Sequence, residues 1–177
     1  MGWDVVVRAC ELGRGLFAAR PFATGELILK FTGPHYERGD PIHQTDTGAN
    51  LLQTGWRSYI LLDPPGVFAN HSCRPNAGVV HNRLLAAIEP IAPGQEICFD
   101  YSTTMAENFW TMPCRCGSPA CRGVVTDFRL LPAEVRDRYL RLGIVQGFIA
   151  GHARVGLRAN LAQDGSCDTV PGRHEGG

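Results

Sequence analysis

Short apolar stretches separated by turn residues dominate the first hundred residues, and this pattern is typical of a protein made of short strands. Gly13-Arg14-Gly15 interrupts the first stretch, and Pro64-Pro65-Gly66 separates two later ones. Residues 34–50 mix proline, histidine and polar residues, which predicts a loop or a short helix. The predicted strands cover residues 3–9, 16–19, 26–32, 59–63, 66–69, 77–81, 84–89 and 96–101, with a hairpin turn at Asn82.

After residue 121 the apolar period changes from that of strands to that of a helix. Pro132 is well placed in a first helical turn. Four apolar residues follow at helical spacing and predict one buried face: Val135, Tyr139, Leu142 and Ile149. Gly143 and Gly147 weaken the second half of this helix. From Gly151 onward the chain is polar and rich in glycine, so we expect residues 151–177 to form a flexible tail.

Composition narrows the class of protein. The chain has 177 residues with 44% hydrophobic and 19% charged residues, which indicates one globular domain and excludes a disordered chain. Seventeen basic and seventeen acidic residues balance, so neither nucleic acid nor a membrane is an expected partner. No apolar run reaches the roughly 20 residues that cross a bilayer, and no leader precedes the first strand. We therefore expect an intracellular protein, cytoplasmic or nuclear.

The chain has seven cysteines, an odd number that does not pair off into disulfides, and three of them form its sharpest local signal. Cys114, Cys116 and Cys121 lie within eight residues, and three thiols at this spacing can converge on one zinc ion. Spacing alone also allows clustered thiols without metal, whereas a redox pair would favour a C-x-x-C spacing that is absent here. A fourth ligand could come from Cys10, Cys73, Cys98 or Cys167; of these, Cys73 lies in a polar turn and is the best placed.

Four segments in order, followed by these cysteines, resemble the SET-domain family of protein-lysine methyltransferases. The segments are GRGLFA at residues 13–18 with the following turn and strand, YILLD at 59–63, FANHSCRPN at 68–76 and GQEICFDY at 94–101. The resemblance implies a mainly β, β-clip-like SET fold in which residues 70–76 and 96–101 form a pseudoknot, with short helices, a post-SET zinc segment and one C-terminal helix. It divides the chain into a SET domain at 1–112, a post-SET segment at 113–125, a helical extension at 126–150 and the tail at 151–177.

The same resemblance implies a set of site residues. S-adenosylmethionine is the implied methyl donor, and its predicted binding residues are Gly13, Arg14, Gly15, Tyr59, Asn70 and His71. Tyr101 matches the family's catalytic tyrosine, and Phe99 matches a position that influences how many methyl groups are added, here favouring di- or trimethylation. The implied ligands of one structural zinc ion are Cys73, Cys114, Cys116 and Cys121. The implied substrate is a lysine in a histone tail or another protein.

Departures from the family pattern leave a second hypothesis open. Phe31 stands where many members have tyrosine, Pro34 replaces an acid, and Val67 replaces an arginine. The alternative to an active enzyme is therefore a catalytically inactive SET-like binding module that keeps the fold and the zinc. No role follows from the sequence for Cys10, Glu11, Leu12 or His81.

Overall fold

The computed structural model describes residues 4–108 and 110–151, and the expected flexible tail lies outside these residues apart from position 151. The described chain is mainly β, as expected, with short strands joined by turns and 3-10 helices. The strands are β1 Val5–Cys10, β2 Gly13–Ala18, β3 Leu27–Lys30, β4 His35–Glu37, β5 Leu51–Gln53, β6 Ser58–Leu61, β7 Asn70–His71, β8 Ala77–Val80, β9 Leu84–Ala87, β10 Cys98–Phe99, β11 Met112–Pro113 and β12 Val124–Val125, and the helix α1 spans Ala133–Leu142.

The strands pair into small sheets of two or three members. β1 and β2 form an antiparallel hairpin, β3-β9-β8 and β4-β6-β5 form three-stranded sheets, and β11 pairs with β12. β7 and β10 run parallel, with Cys98 opposite Asn70 and Phe99 opposite His71. This parallel pair joins the segments around residues 70–76 and 96–101, which confirms the expected juxtaposition.

Three local predictions were wrong. Gly13-Arg14-Gly15 was predicted to interrupt the strand pattern, but it begins β2. The turn between β1 and β2 lies before it, at residues 11–12. Gly13 follows that turn with φ of +104°, a backbone region that favours glycine. Residues 66–69 do not form a strand, since Gly66–Phe68 is a 3-10 helix. The strand predicted over 96–101 keeps only β10, because the chain turns into a 3-10 helix at Tyr101–Thr104.

Helix α1 begins after Pro132 as predicted, but it ends earlier than the apolar pattern suggests. Gly143 adopts φ of +68° and closes the helix with a left-handed cap. Tyr139 is buried on the predicted face, whereas Leu142 is 41% exposed, and Ile149 is buried from a separate helical stretch at residues 147–151. Within the described residues, no helix combines the length and apolarity required to cross a membrane.

Two apolar clusters form the core. The larger one fills the space between the strands and includes Phe31, Ile60, Leu85 and Phe99. The smaller one gathers around α1 and includes Phe128, Tyr139 and Ile144. The two meet where Gly78 of β8 lies against the side chain of Ile144.

Candidate active site and metal centre

A cavity of about 250 Å³ opens beside the crossing of β7 and β10. Its apolar wall includes Leu62, Val67, Ala69 and the predicted active-site residue Phe99, and Tyr101 also faces it. The polar part of the lining comes mainly from the two 3-10 turns at Pro41–Gln44 and Asp46–Asn50 and from Glu107. A pocket that is apolar on one side and polar on the other suits a long side chain with a polar tip.

Tyr101 is held at both its backbone and its hydroxyl. The hydroxyl donates a 3.0 Å hydrogen bond to the carbonyl oxygen of Ala69, and the Tyr101 amide donates a 3.2 Å hydrogen bond to Nδ1 of His71. Burial raises the pKa of Tyr101 above its ordinary value, so the phenol stays protonated at neutral pH. Because its proton is directed to Ala69, the oxygen presents lone pairs to a partner entering the cavity.

The predicted cofactor residues gather beside the cavity without lining it. The side-chain amide of Asn70 donates a 3.1 Å hydrogen bond to the carbonyl oxygen of Arg14, which ties β7 to the start of β2. The Arg14 guanidinium lies 4.2 Å from the centre of the Phe68 ring. Tyr59 is fully buried in β6, with its ring edge-on to His43 at 4.6 Å. His43 lines the cavity and Tyr59 does not, so Tyr59 supports the cavity wall by packing behind His43.

Thiols from distant parts of the chain meet at the second centre. The ligand atoms of His71, Cys73, Cys114 and Cys116 all lie within 4.8 Å of one another. The Sγ atoms of Cys73 and Cys114 are 3.7 Å apart, and two thiolates on one tetrahedral zinc are expected to lie about 3.8 Å apart. The thiol of Cys121 interacts with those of Cys114 and Cys116. Three of the four predicted cysteines, Cys73, Cys114 and Cys116, thus have the spacing of a zinc site, and Cys121 contacts two of them; that these four hold one ion stays a prediction.

Backbone donors surround these sulfur atoms. The Arg122 amide donates to Sγ of Cys73 at 3.4 Å, and the Gly123 amide donates to Sγ of Cys121 at 3.4 Å. Burial raises the pKa of Cys73, and the hydrogen bond from Arg122 opposes this by stabilising the thiolate, the form that binds metal.

His71 joins the thiol group, a position that sequence reasoning missed. Its Nδ1 accepts the Tyr101 amide hydrogen, so the hydrogen-bond network places the ring proton on Nε2, which lies 3.4 Å from Sγ of Cys73. Burial lowers the pKa of His71 to about 4, which keeps the ring neutral. His71 thus donates to a cysteine sulfur and is a bridge between the metal centre and Tyr101.

A buried ion pair that sequence reasoning missed fixes the turn that carries Tyr101. Asp100 is fully buried and makes two contacts with the Arg122 guanidinium, at 2.8 and 2.9 Å. The Asp100 carboxylate also caps the 3-10 helix Tyr101–Thr104 by accepting from the Ser102 amide at 3.1 Å. The residue types alone could have suggested a pair, but only the fold brings residues 100 and 122 together.

Comparisons with known proteins agree with this geometry. Residues 13–102 match the family model of the SET domain. Histone-lysine N-methyltransferase ash1 of Drosophila melanogaster is 30% identical over 131 residues, which is 65% of this chain and 6% of that protein. Histone-lysine N-methyltransferase 2B of Homo sapiens is 25% identical over 134 residues, 66% of this chain and 5% of that protein. Histone-lysine N-methyltransferase Set2 of Drosophila melanogaster is 27% identical over 135 residues, 67% of this chain and 6% of that protein. The chain thus spans only a small part of these relatives.

Proposed function

The chain belongs to the SET-domain family, and from that premise we propose that it is an S-adenosylmethionine-dependent protein-lysine N-methyltransferase. One observation carries most of the proposal: the Tyr101 hydroxyl is fixed by Ala69 beside the apolar wall of the cavity. The names of the relatives support a lysine side chain as the acceptor of the methyl group.

The residues proposed to hold S-adenosylmethionine are Asn70 and His71 with Gly13, Arg14 and Gly15, and Tyr59 supports the cavity from the core. The fit rests on Asn70: both hydrogens of its side-chain amide have partners, whereas its carbonyl oxygen accepts no hydrogen bond from the described residues. An open acceptor suits the cationic end of this molecule. When bound, S-adenosylmethionine supplies a methyl group already activated by its sulfonium charge.

Tyr101 is the proposed catalytic residue. Its oxygen accepts an N–H of the incoming lysine amine, because its own proton is directed to Ala69. This hydrogen bond fixes the direction of the nitrogen lone pair, so the main contribution of Tyr101 is orientation of the nucleophile.

The apolar wall supports a second part of the mechanism, which is to keep the amine neutral. Leu62, Val67, Ala69 and Phe99 offer no partner to an ammonium ion, so an amine that lies against this wall, away from Asp46 and Glu107 on the polar side, loses its proton more readily than in water. Phe99 also has no hydroxyl with which to hold a methylated amine in one orientation. We therefore propose that the enzyme adds two or three methyl groups.

The proposed zinc ligands are Cys73, Cys114, Cys116 and Cys121, and the role of the metal is structural. The pairing of β11 with β12 closes the cysteine loop at both ends and supports a separate post-SET segment at 113–125, between the SET domain at 1–112 and the helical extension at 126–150. With these residues as ligands, the loop would be joined to Cys73 and therefore to the segment that carries Asn70 and His71.

The alternative of an inactive binding module depended on Phe31. In the structure this residue is fully buried, lies 5.7 Å from Phe99 between ring centres, and does not line the cavity. The replacement of tyrosine by Phe31 therefore removes a hydroxyl from the core, and it leaves the wall of the cavity unchanged. This placement favours the active enzyme.

Methyl transfer from radiolabelled S-adenosylmethionine to a library of histone and other protein peptides tests the proposal. We expect label on lysine residues of a subset of peptides and none when each lysine of those peptides is replaced by arginine. Binding of the methyl donor without transfer to any peptide or protein would support the inactive module.

A further inference from the structure

Glu96 reaches across from the segment before β10 to the Asn70 side chain. Its Oε1 accepts a 2.8 Å hydrogen bond from Nδ2 of Asn70, and the same Nδ2 donates to the carbonyl oxygen of Arg14 at 3.1 Å. A carboxylate and a carbonyl are both acceptors only, so the amide of Asn70 must turn its NH₂ group toward them. The opposite orientation would place three acceptors against one another.

Two backbone contacts hold Glu96 in this position, and a further hydrogen bond holds its partner Asn76. Glu96 forms a β-bridge with Phe17, and its carbonyl oxygen accepts a 2.8 Å hydrogen bond from the side-chain amide of Asn76. On the far side, Oδ1 of Asn76 accepts from the Cys98 amide at 2.9 Å. The backbone that carries the Glu96 carboxylate is therefore held in place. A residue that orients another side chain needs such support.

Gly15 explains how the carboxylate fits. A β-carbon at position 15 would lie 3.0 Å from Cδ of Glu96 and closer still to Oε1, so any other residue there displaces this carboxylate. Gly13 differs, because a β-carbon there meets no atom within 4 Å and its glycine is required by φ of +104°. The two glycines of the GRG segment thus serve separate purposes, and only Gly13 serves the backbone.

We propose that Glu96 is a positioning residue for Asn70, that it presents Oδ1 of Asn70 as an acceptor to the ammonium group of the methyl donor, and that position 15 is glycine to admit its carboxylate. The inference rests on the proposed function, since it assumes that this molecule binds beside Asn70. It adds a residue, Glu96, to which neither the family motif nor the comparisons gave a role.

The test uses two probes that share the thioadenosine part and differ in the amino-acid end, which carries the ammonium group assigned to Asn70. S-adenosylhomocysteine carries the amino-acid end with its ammonium group, whereas 5′-methylthioadenosine lacks that end. Isothermal titration calorimetry on the full chain gives both dissociation constants. We expect Glu96→Ala to weaken S-adenosylhomocysteine about tenfold, the size expected for one lost hydrogen bond to a charged group, and to change 5′-methylthioadenosine by less than about twofold.

Two further variants distinguish the orienting effect of Glu96 on Asn70 from the effect of its charge and from loss of the fold. Glu96→Gln keeps an acceptor without the charge and should stay within about twofold of the unaltered chain for both probes. Gly15→Ala leaves Glu96 in place but displaces its carboxylate, so it should reproduce the selective loss, and it should add nothing selective when combined with Glu96→Ala. If Glu96→Ala is unfolded by circular dichroism, Gly15→Ala alone decides the question.

Each result counts for or against the inference. Equal weakening of both probes would show a structural role only and would overturn it, as would unchanged binding of both probes in Glu96→Ala and Gly15→Ala. A loss in Glu96→Gln as large as in Glu96→Ala would assign the effect to charge and overturn the orienting role. Failure of the unaltered chain to bind either probe would instead refute the proposed function itself, and the inference with it.

Discussion

The hydroxyl of Tyr139, in helix α1, donates a 2.9 Å hydrogen bond to Oδ2 of Asp100, the residue directly before Tyr101. Asp100 shares the same oxygen with Arg122 at 2.8 Å. Two elements outside the matched SET region, the cysteine loop and the C-terminal helix, therefore meet at one buried carboxylate. A buried charge is stable only when its hydrogen-bonding capacity is filled, so this helix completes the structure around the proposed catalytic residue.

Removal of the Tyr139 hydroxyl should destabilise the protein without unfolding it. We expect Tyr139→Phe to lower the free energy of unfolding by about 1–3 kcal/mol, because Asp100 loses one of its buried partners. Urea denaturation measures the change. Tyr36→Phe is the matched control on a strand away from Asp100, and an equal effect in both variants would contradict the role given to this bond.

Tyr101→Phe should nearly abolish methyl transfer while the fold is retained. Without the hydroxyl, nothing orients the lysine amine beside Ala69, and the loss in kcat should reach about a hundredfold or more. Transfer of radiolabel under saturating donor measures kcat, and the affinity for S-adenosylhomocysteine reports whether the site is intact. Turnover close to that of the unaltered chain would refute the role of Tyr101.

Phe99→Tyr should reduce the number of methyl groups added. The new hydroxyl would lie on the cavity wall close to Tyr101, whose ring centre is 4.8 Å away, and it would take up space and bond to the amine. Mass spectrometry of a peptide product after complete reaction distinguishes mono-, di- and trimethyl-lysine. An unchanged distribution would show that Phe99 does not limit the product.

Cys73→Ser should remove zinc. The unaltered chain is expected to hold about one zinc ion, and the loss of a thiolate that lies 3.7 Å from Cys114 breaks the tetrahedral set. Metal analysis by mass spectrometry after dialysis measures the content. Cys98→Ala is the control: burial raises the pKa of Cys98 to about 12, so this residue remains a thiol, and its replacement should leave the zinc in place.

Gly78→Ala should weaken the docking of the C-terminal region on β8. The added β-carbon would overlap the side chain of Ile144, and overpacking of this kind costs about 1–3 kcal/mol. Thermal and urea unfolding measure the loss. Gly55→Ala is the matched control because the nearest atom to its added carbon is 3.6 Å away in Ser58, and it should change stability by less than about 0.5 kcal/mol.

Turns, the helix start and the group of thiols could be predicted from the sequence wherever the residues that form them are close along the chain. The spacing of Cys114, Cys116 and Cys121 predicted a group of thiols because a bent loop of eight residues leaves them few other arrangements. The turn signals around Asn82 and Pro132 predicted a hairpin and a helix start, and both were confirmed. The failures were also local: the 3-10 helix Gly66–Phe68 shows the same short apolar pattern as a strand.

The mainly β class, the thiol loop and the ordered motifs that resemble the SET family could all be predicted from the chain, because they depend on residue type and short spacing. Three contacts could not be predicted in this way: Glu96 faces Asn70, His71 lies between Tyr101 and Cys73, and Tyr139 reaches Asp100. These pairs follow from the parallel crossing of β7 and β10 and from the return of α1 onto it. Such contacts are stabilised by the filling of buried hydrogen-bonding groups across the whole fold, a condition that no local pattern of residues expresses.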